Sequence, residues 1–265
     1  MGGDGVKGAP PYLAGKSMIV NGERRDFTEF TDAMALGDGV FETMRSYNGK
    51  VFGLVEHLAR LQLGLSDLGI SQFEIEKIRE GVFEILRSET LETGALRISV
   101  YSDGTWIISH KKYTPPKGEL VCSTKEVPGR AASYKSASYG ERMALRRQAL
   151  SSGFDDVILF DTNGEIRELS TSNLILRISG QWQTPRLEDR ALPGITRKIL
   201  MENFGVLEER LMLEDLGAAD SLAAISSLRE VQGIKAIDGK DFPISHELRE
   251  LQESFHHWIL GNLAL

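Results

Sequence analysis

Four of the seven Asx-Gly dipeptides in this chain stand out: Asn21-Gly22, Asn48-Gly49, Asn163-Gly164 and Asp238-Gly239. Each borders a short apolar run, the signature of a tight turn at the end of a strand. Hairpins are therefore expected from Phe41–Tyr47 with Val51–Leu54, and from Asp156–Asp161 with Glu165–Leu169. The sequence Met18–Val20 reads as a strand into the first turn, and Val231–Ile237 as a strand into the last. Helical periodicity lies between these hairpins. Leu54, Leu58, Leu61, Leu65 and Leu68 recur at spacings of 4, 3, 4 and 3, which gives a helix one buried stripe. Ile75, Ile78, Val82 and Ile85 mark a second helix within Phe73–Leu86. Further strands are expected at Leu96–Tyr101, Trp106–Ile108, Leu120–Val127, Asn173–Ile178, Leu207–Met212 and Leu222–Ser226. Further helices are expected at Tyr139–Leu150, at Ile195–Asn203, and from a Ser245 cap to Leu260. Strands and helices mix without strict alternation, so the class is α/β (α+β) rather than a doubly wound sheet.

A chain of 265 residues is long enough for one large or two medium domains. The apolar-poor stretch Pro128–Ala132 reads as a connection (residues 128–132) between a smaller unit, 18–127, and a larger one, 133–265. Residues 1–17, rich in Gly and Pro without a signal-peptide apolar stretch, read as a tail. The net charge of −7 is spread along the chain with no basic stripe, which argues against a nucleic-acid partner. No apolar run reaches the ~18 residues of a membrane span. The single cysteine, Cys122, lies in an apolar run and reads as a small buried hydrophobe, which suits a reducing cytoplasm. His110, His246, His256 and His257 lack metal-ligand spacing, so no metal is expected.

Three segments carry candidate chemistry. Lys135 stands just before a helix; by itself it reads as a surface lysine. Glu168 ends a hairpin strand; by itself it reads as a solvated carboxylate. Gly194 precedes a helix start, where the N–H groups of Ile195 and Thr196 are free to bind an anion.

Taken together, six segments resemble the class IV aminotransferases, the fold-type IV pyridoxal 5′-phosphate (PLP) enzymes. They are Gly37–Thr43, His57–Leu61, Lys135 with its neighbours, Glu168–Asn173, Leu192–Arg197 and Ser226–Glu230. The resemblance runs from about Met18 to Phe242. It implies two α/β domains with PLP in the cleft between them, and a homodimer. It also implies that Lys135 is the Schiff-base lysine and proton shuttle, and that Glu168 is the acid at the pyridine nitrogen. Arg60, the backbone N–H groups of Ile195 and Thr196, and the Ser227 hydroxyl would bind the phosphate, and Tyr139 would stand beside the ring oxygen. Phe41, Arg45, Arg97, Leu228 and Arg229 are the candidate substrate contacts.

The resemblance leaves the reaction open. Thr43 stands where branched-chain enzymes usually carry Gly, and the segment Gly37–Thr43 looks more like aminodeoxychorismate lyases. Ser102-Asp103-Gly104 replaces an Arg-Gly pair found in D-amino-acid aminotransferases and some lyases. The leading expectation is an aminodeoxychorismate lyase, releasing pyruvate and 4-aminobenzoate for folate synthesis. The alternatives are a branched-chain or D-amino-acid aminotransferase passing an amine to a 2-keto acid, and a PLP-binding protein without turnover.

Overall fold

A computed structural model describes residues 17–20, 22–24, 31–71, 73–128, 134–188 and 191–264. The expected tail up to residue 16, Asn21 and most of the expected connection (129–132) lie outside these residues.

The first half of the chain gives β1 (Ser17–Val20), β2 (Glu23–Arg24), α1 (Asp32–Leu36), β3 (Gly39–Tyr47), β4 (Lys50–Phe52), α2 (Leu54–Asp67), α3 (Ile75–Ser88), β5 (Thr93–Tyr101) and β6 (Trp106–Lys112). The second half gives β7 (Leu120–Glu126), α4 (Gly140–Ser151), β8 (Asp156–Phe160), β9 (Ile166–Leu169), β10 (Asn173–Ile178), β11 (Gln181–Pro185), α5 (Ile195–Asn203), β12 (Leu207–Glu209), β13 (Ser221–Ser226), β14 (Glu230–Ile237), β15 (Lys240–Asp241), α6 (His246–Gly261) and β16 (Leu263–Ala264).

Seven strands form an antiparallel sheet in the order β16-β4-β3-β5-β6-β1-β2. Its long central pair, β3 and β5, is in register from Gly39↔Tyr101 to Tyr47↔Thr93. Side chains alternate across a strand, so Val40, Met44, Leu96, Ile98 and Val100 share one face. The α2 leucines and α3 Ile78, Val82 and Ile85 cover that face as one core. The other face carries Phe41, Thr43, Arg45, Arg97 and Ser99, and turns toward the site described below.

The remaining strands form a mixed sheet in the order β12-β11-β10-β13-β14-β7-β8-β9, with β15 on the flank of β14. Strand β13 is a continuous apolar run because both of its faces are buried. Leu222 and Ala224 enter a core with Cys122, Ile158 and Leu174. Ala223 and Ile225 enter another with Ile195, Ile199, Leu248 and Phe255 of α5 and α6. That second core also takes in Tyr47 and Phe52 of the first sheet, so a common core ties the two sheets together. Cys122 is fully buried and unpaired.

Two long-range pairings differ from the expected division. Strand β7, expected to close the smaller unit, lies between β14 and β8 and runs parallel to both. At the far end of the chain, β16 returns to the first sheet and pairs with β4. Of the strand expected over Leu207–Met212 only β12 forms, and Met212 instead makes an isolated bridge to Glu165 before a 3-10 helix over Leu213–Ala218. Ser245 caps α6 as expected, its hydroxyl accepting the Leu248 N–H. Among the described residues no helix is long and apolar enough to cross a membrane.

Candidate active site

Lys135 is pinned by backbone pairing to the start of β3. Its carbonyl accepts the Phe41 N–H at 2.8 Å, and two residues on the Ala137 N–H donates to the Gly39 carbonyl at 2.8 Å. This short ladder sends the side chain between two aromatic rings. Lys135 Nζ lies 5.0 Å from the Phe41 ring centroid and 5.3 Å from that of Tyr139. The rings themselves meet edge to face at 5.3 Å. Burial, with the Arg60 charge nearby, pushes the Lys135 amine down to about 8. A far larger share than for an ordinary lysine is therefore unprotonated near neutral pH, which favours a nucleophile or base.

Glu168, at the end of β9, is buried, and its Oε1 has an ion pair but no hydrogen bond among the described residues. Its Oε1 lies 2.5 Å from Arg142 Nη2. Its Oε2 accepts from Asn173 Nδ2 at 3.1 Å and from the Leu192 N–H at 3.2 Å. Burial pushes the carboxyl up, against the opposing pull of Arg142. Asn173 Nδ2 also donates to the Leu192 carbonyl at 2.9 Å, tying the acid to the loop before α5. Gly194 is required in that loop, because a Cβ there would sit 1.9 Å from Asn173 Oδ1. Tyr139 donates its phenol to the Ser170 carbonyl at 3.0 Å, and burial raises it to about 12.

The N-terminus of α5 supplies an anion cradle. Gly194 caps the helix without a side-chain bond, so the N–H groups of Ile195 and Thr196 have no acceptor within the helix. Thr196 Oγ1 is buried with no hydrogen-bond partner among the described residues. Arg60 reaches the same loop from α2. Its Nε and Nη2 grip the two Glu42 oxygens at 2.7 Å each, and Nη1 donates to the Pro193 carbonyl at 2.7 Å. A guanidinium has five N–H donors, so two remain for an anion. His57, one helical turn before Arg60, places Nδ1 2.7 Å from Glu42 Oε2 and Nε2 3.0 Å from Ser227 Oγ. Burial alone would raise Glu42, but the Arg60 and His57 hydrogen bonds and charges hold it down at about 2. An orphaned hydroxyl, free helical N–H groups and spare guanidinium donors fit a phosphate. The amine and the buried carboxylate fit the aldehyde and ring nitrogen of PLP.

The three candidate substrate arginines differ in their surroundings. Arg97 lies 3.7 Å above the Phe41 ring centroid, beside the Lys135 pocket. Arg45 is paired with Glu230 at 2.6 Å, and Tyr47 and His256 join the same carboxylate. Arg229 is held by Gln232 at 2.7 Å and Asp156 at 3.2 Å. Leu228 is half-buried in the turn between β13 and β14. Sequence reasoning assigned no role to Glu42, His57, Arg142 or Asn173. His57 and Arg60 did carry a signal, as polar residues adjoining the buried leucine stripe of α2.

Removing one partner of a buried ion pair leaves the other charge uncompensated. Arg60→Ala is therefore expected to lower stability by about 3 kcal/mol. Urea denaturation checks this, and an unchanged midpoint would mean that Glu42 does not depend on Arg60.

The family model for amino-transferase class IV matches residues 39–237. A Methanocaldococcus jannaschii protein named as a branched-chain-amino-acid aminotransferase is 28% identical, covering 92% of this chain and 94% of that protein. The branched-chain aminotransferase of Thermoproteus uzoniensis, solved with norvaline, superposes with a TM-score of 0.86 at 22% identity, covering 94% of this chain and 99% of the other. A Legionella pneumophila structure described as a 4-amino-4-deoxychorismate lyase superposes with a TM-score of 0.81 at 23% identity, over 88% of this chain and 96% of the other.

Proposed function

Because the chain belongs to the amino-transferase class IV family, a family of PLP-dependent enzymes, we propose that it is an amino acid aminotransferase of the branched-chain type. The likeness to the M. jannaschii protein along nearly the whole length of both chains carries this choice. It reverses the order of the sequence expectation, which put the aminodeoxychorismate lyase first.

PLP supplies a cationic ring that stores the electron pair released when a bond at the substrate α-carbon breaks. The chain's own residues would do the rest. Lys135 would hold the cofactor covalently, and would take up the α-proton and give it back. Its lowered proton affinity suits that double task. Glu168 would face the ring nitrogen and favour its protonated form, with Asn173 and Leu192 fixing the carboxylate. Thr196, the first N–H groups of α5, Arg60 and Ser227 would hold the phosphate, and Tyr139 would face the ring oxygen. Phe41 and Tyr139 shield the amine from water. Arg97 is the favoured partner for the substrate carboxylate, because its guanidinium borders the ring that borders Lys135.

We place the enzyme in the cytoplasm, in keeping with its single buried thiol; cell fractionation reads this. We also propose a homodimer. Val55, Ala59 and Leu63 form an exposed apolar stripe along α2, with Val55 73% and Leu63 67% exposed. Such a stripe marks an interaction surface. Sedimentation should find a dimer that Leu63→Asp weakens; a wild-type monomer contradicts it.

The reaction is tested with PLP-loaded protein. Branched-chain amino acids should be turned over beyond one equivalent of enzyme only when a 2-keto acid is present. Pyruvate release from aminodeoxychorismate without a keto acid would establish the lyase instead. Bound PLP with no turnover in either assay would leave a binding protein.

A further inference from the structure

We propose that Glu42, His57 and Ser227 form a proton relay beneath the anion cradle, through which His57 gains one proton when a phosphate monoester docks. The proposal rests on the cofactor reading of the site and concerns how the cradle acquires its charge.

The argument begins with a charge count. Arg60, the cradle's cation, already spends two of its N–H groups on Glu42, and burial leaves that pair undiluted by water. Their charges cancel. Arg142, the next cation, is likewise matched by Glu168. A dianionic phosphate at α5 would then meet the helix N-terminus and little further net positive charge from these pairs.

His57 offers the missing charge. It is fully buried on α2 and touches a polar atom at each ring nitrogen. Facing it are Glu42 from β3, Arg60 from its own helix, Lys135 from the segment before α4, and Ser227 from the turn after β13. Burial, Arg60 and Lys135 lower its proton affinity, while Glu42 raises it; the net direction is downward, so the ring is neutral before a ligand binds. Glu42 is ionised and can only accept, so Nδ1 carries the hydrogen. Nε2 must then accept the Ser227 hydroxyl hydrogen.

That hydroxyl has one hydrogen. If Ser227 turns it toward a phosphate oxygen, Nε2 loses its donor inside a buried site, which is costly. A proton taken from the buffer onto Nε2 restores the contact, now running from Nε2–H to Ser227 Oγ. The Ser227 hydrogen goes to the phosphate, Nδ1–H stays on Glu42, and the group Arg60–Glu42–His57 changes from neutral to a single positive charge. One covalent bond forms, the N–H on Nε2, with the proton that the buffer acid gives up; otherwise only hydrogen bonds rearrange.

The test uses pyridoxamine 5′-phosphate, which carries the phosphate but no aldehyde to react with Lys135. Calorimetric titration at pH 8, in two buffers of different ionisation enthalpy, measures protons taken up per ligand. Wild-type protein should take up about one proton more than His57→Gln. Pyridoxamine, without the phosphate, should show no such difference. Ser227→Ala should bind more weakly and also lose the extra proton, because nothing then diverts the hydroxyl hydrogen. Nitrogen NMR of the histidines provides a second reading should His57→Gln fail to fold: the wild-type His57 Nε2 signal should move to its protonated position on binding. Binding with equal proton uptake in all three proteins, or an unmoved Nε2 signal, would overturn the relay and leave the cofactor reading intact. Failure of wild-type protein to bind either pyridoxamine 5′-phosphate or PLP would overturn both.

Discussion

Lys135→Ala is expected to reduce turnover by at least about 10^4-fold, the upper range for loss of a positioned acid–base group, since the same side chain also provides covalent attachment. The fold should survive. The Lys135 amine titrates near 8 in the folded chain, below its ordinary value of 10.5. Between those two values the unfolded chain binds more protons, so the lysine makes stability rise with pH across that window. At neutral pH the lysine therefore costs stability, and the alanine variant should melt no lower than wild type. A thermal melt beside an activity assay separates the two effects. Near-normal turnover in a folded variant would remove Lys135 from the chemistry.

Glu168→Gln is expected to lower turnover by roughly 10²–10³-fold, comparable to loss of one preorganised electrostatic contact in a buried site. The amide keeps the shape and can still meet Asn173 and Leu192, but it carries no negative charge. Arg142, now 2.5 Å from a neutral group rather than a carboxylate, would leave an uncompensated cation facing the ring nitrogen. Both changes disfavour the protonated ring. PLP should still attach, so the variant should retain its visible absorption while losing rate. A variant with wild-type kcat would show that the acid at the ring nitrogen lies elsewhere.

Much of the local structure was legible in the sequence because local physics decides it. The α2 leucine stripe fixed a helix and its buried face, and Pro193-Gly194 fixed the start of α5 at Ile195. Sheet membership was less legible. β7 looks like any half-buried strand, and only its partners β14 and β8, far along the chain, assign it to the second sheet. β16 has two residues and no signal beyond its pairing with β4.

The site divides in the same way. Lys135, Glu168 and Arg60 could be named from motif order, and the structure brings the charges of Glu168 and Arg60 within reach of the Lys135 amine, with both side chains hydrogen-bonded to the loop before α5. Arg142 could not be named, since its meaning comes from a carboxylate 26 residues later. His57 could not either, because its partners come from β3 and from a turn 170 residues away. Arg45 and Arg229 read as candidate substrate contacts in sequence, yet each has a buried carboxylate partner whose identity only tertiary structure provides.

Borohydride reduction of the PLP-loaded protein, followed by peptide mass mapping, tests the central assignment most directly. A pyridoxyl label confined to the peptide containing Lys135 is the predicted result. A label on another lysine, or no label despite bound cofactor, would contradict it.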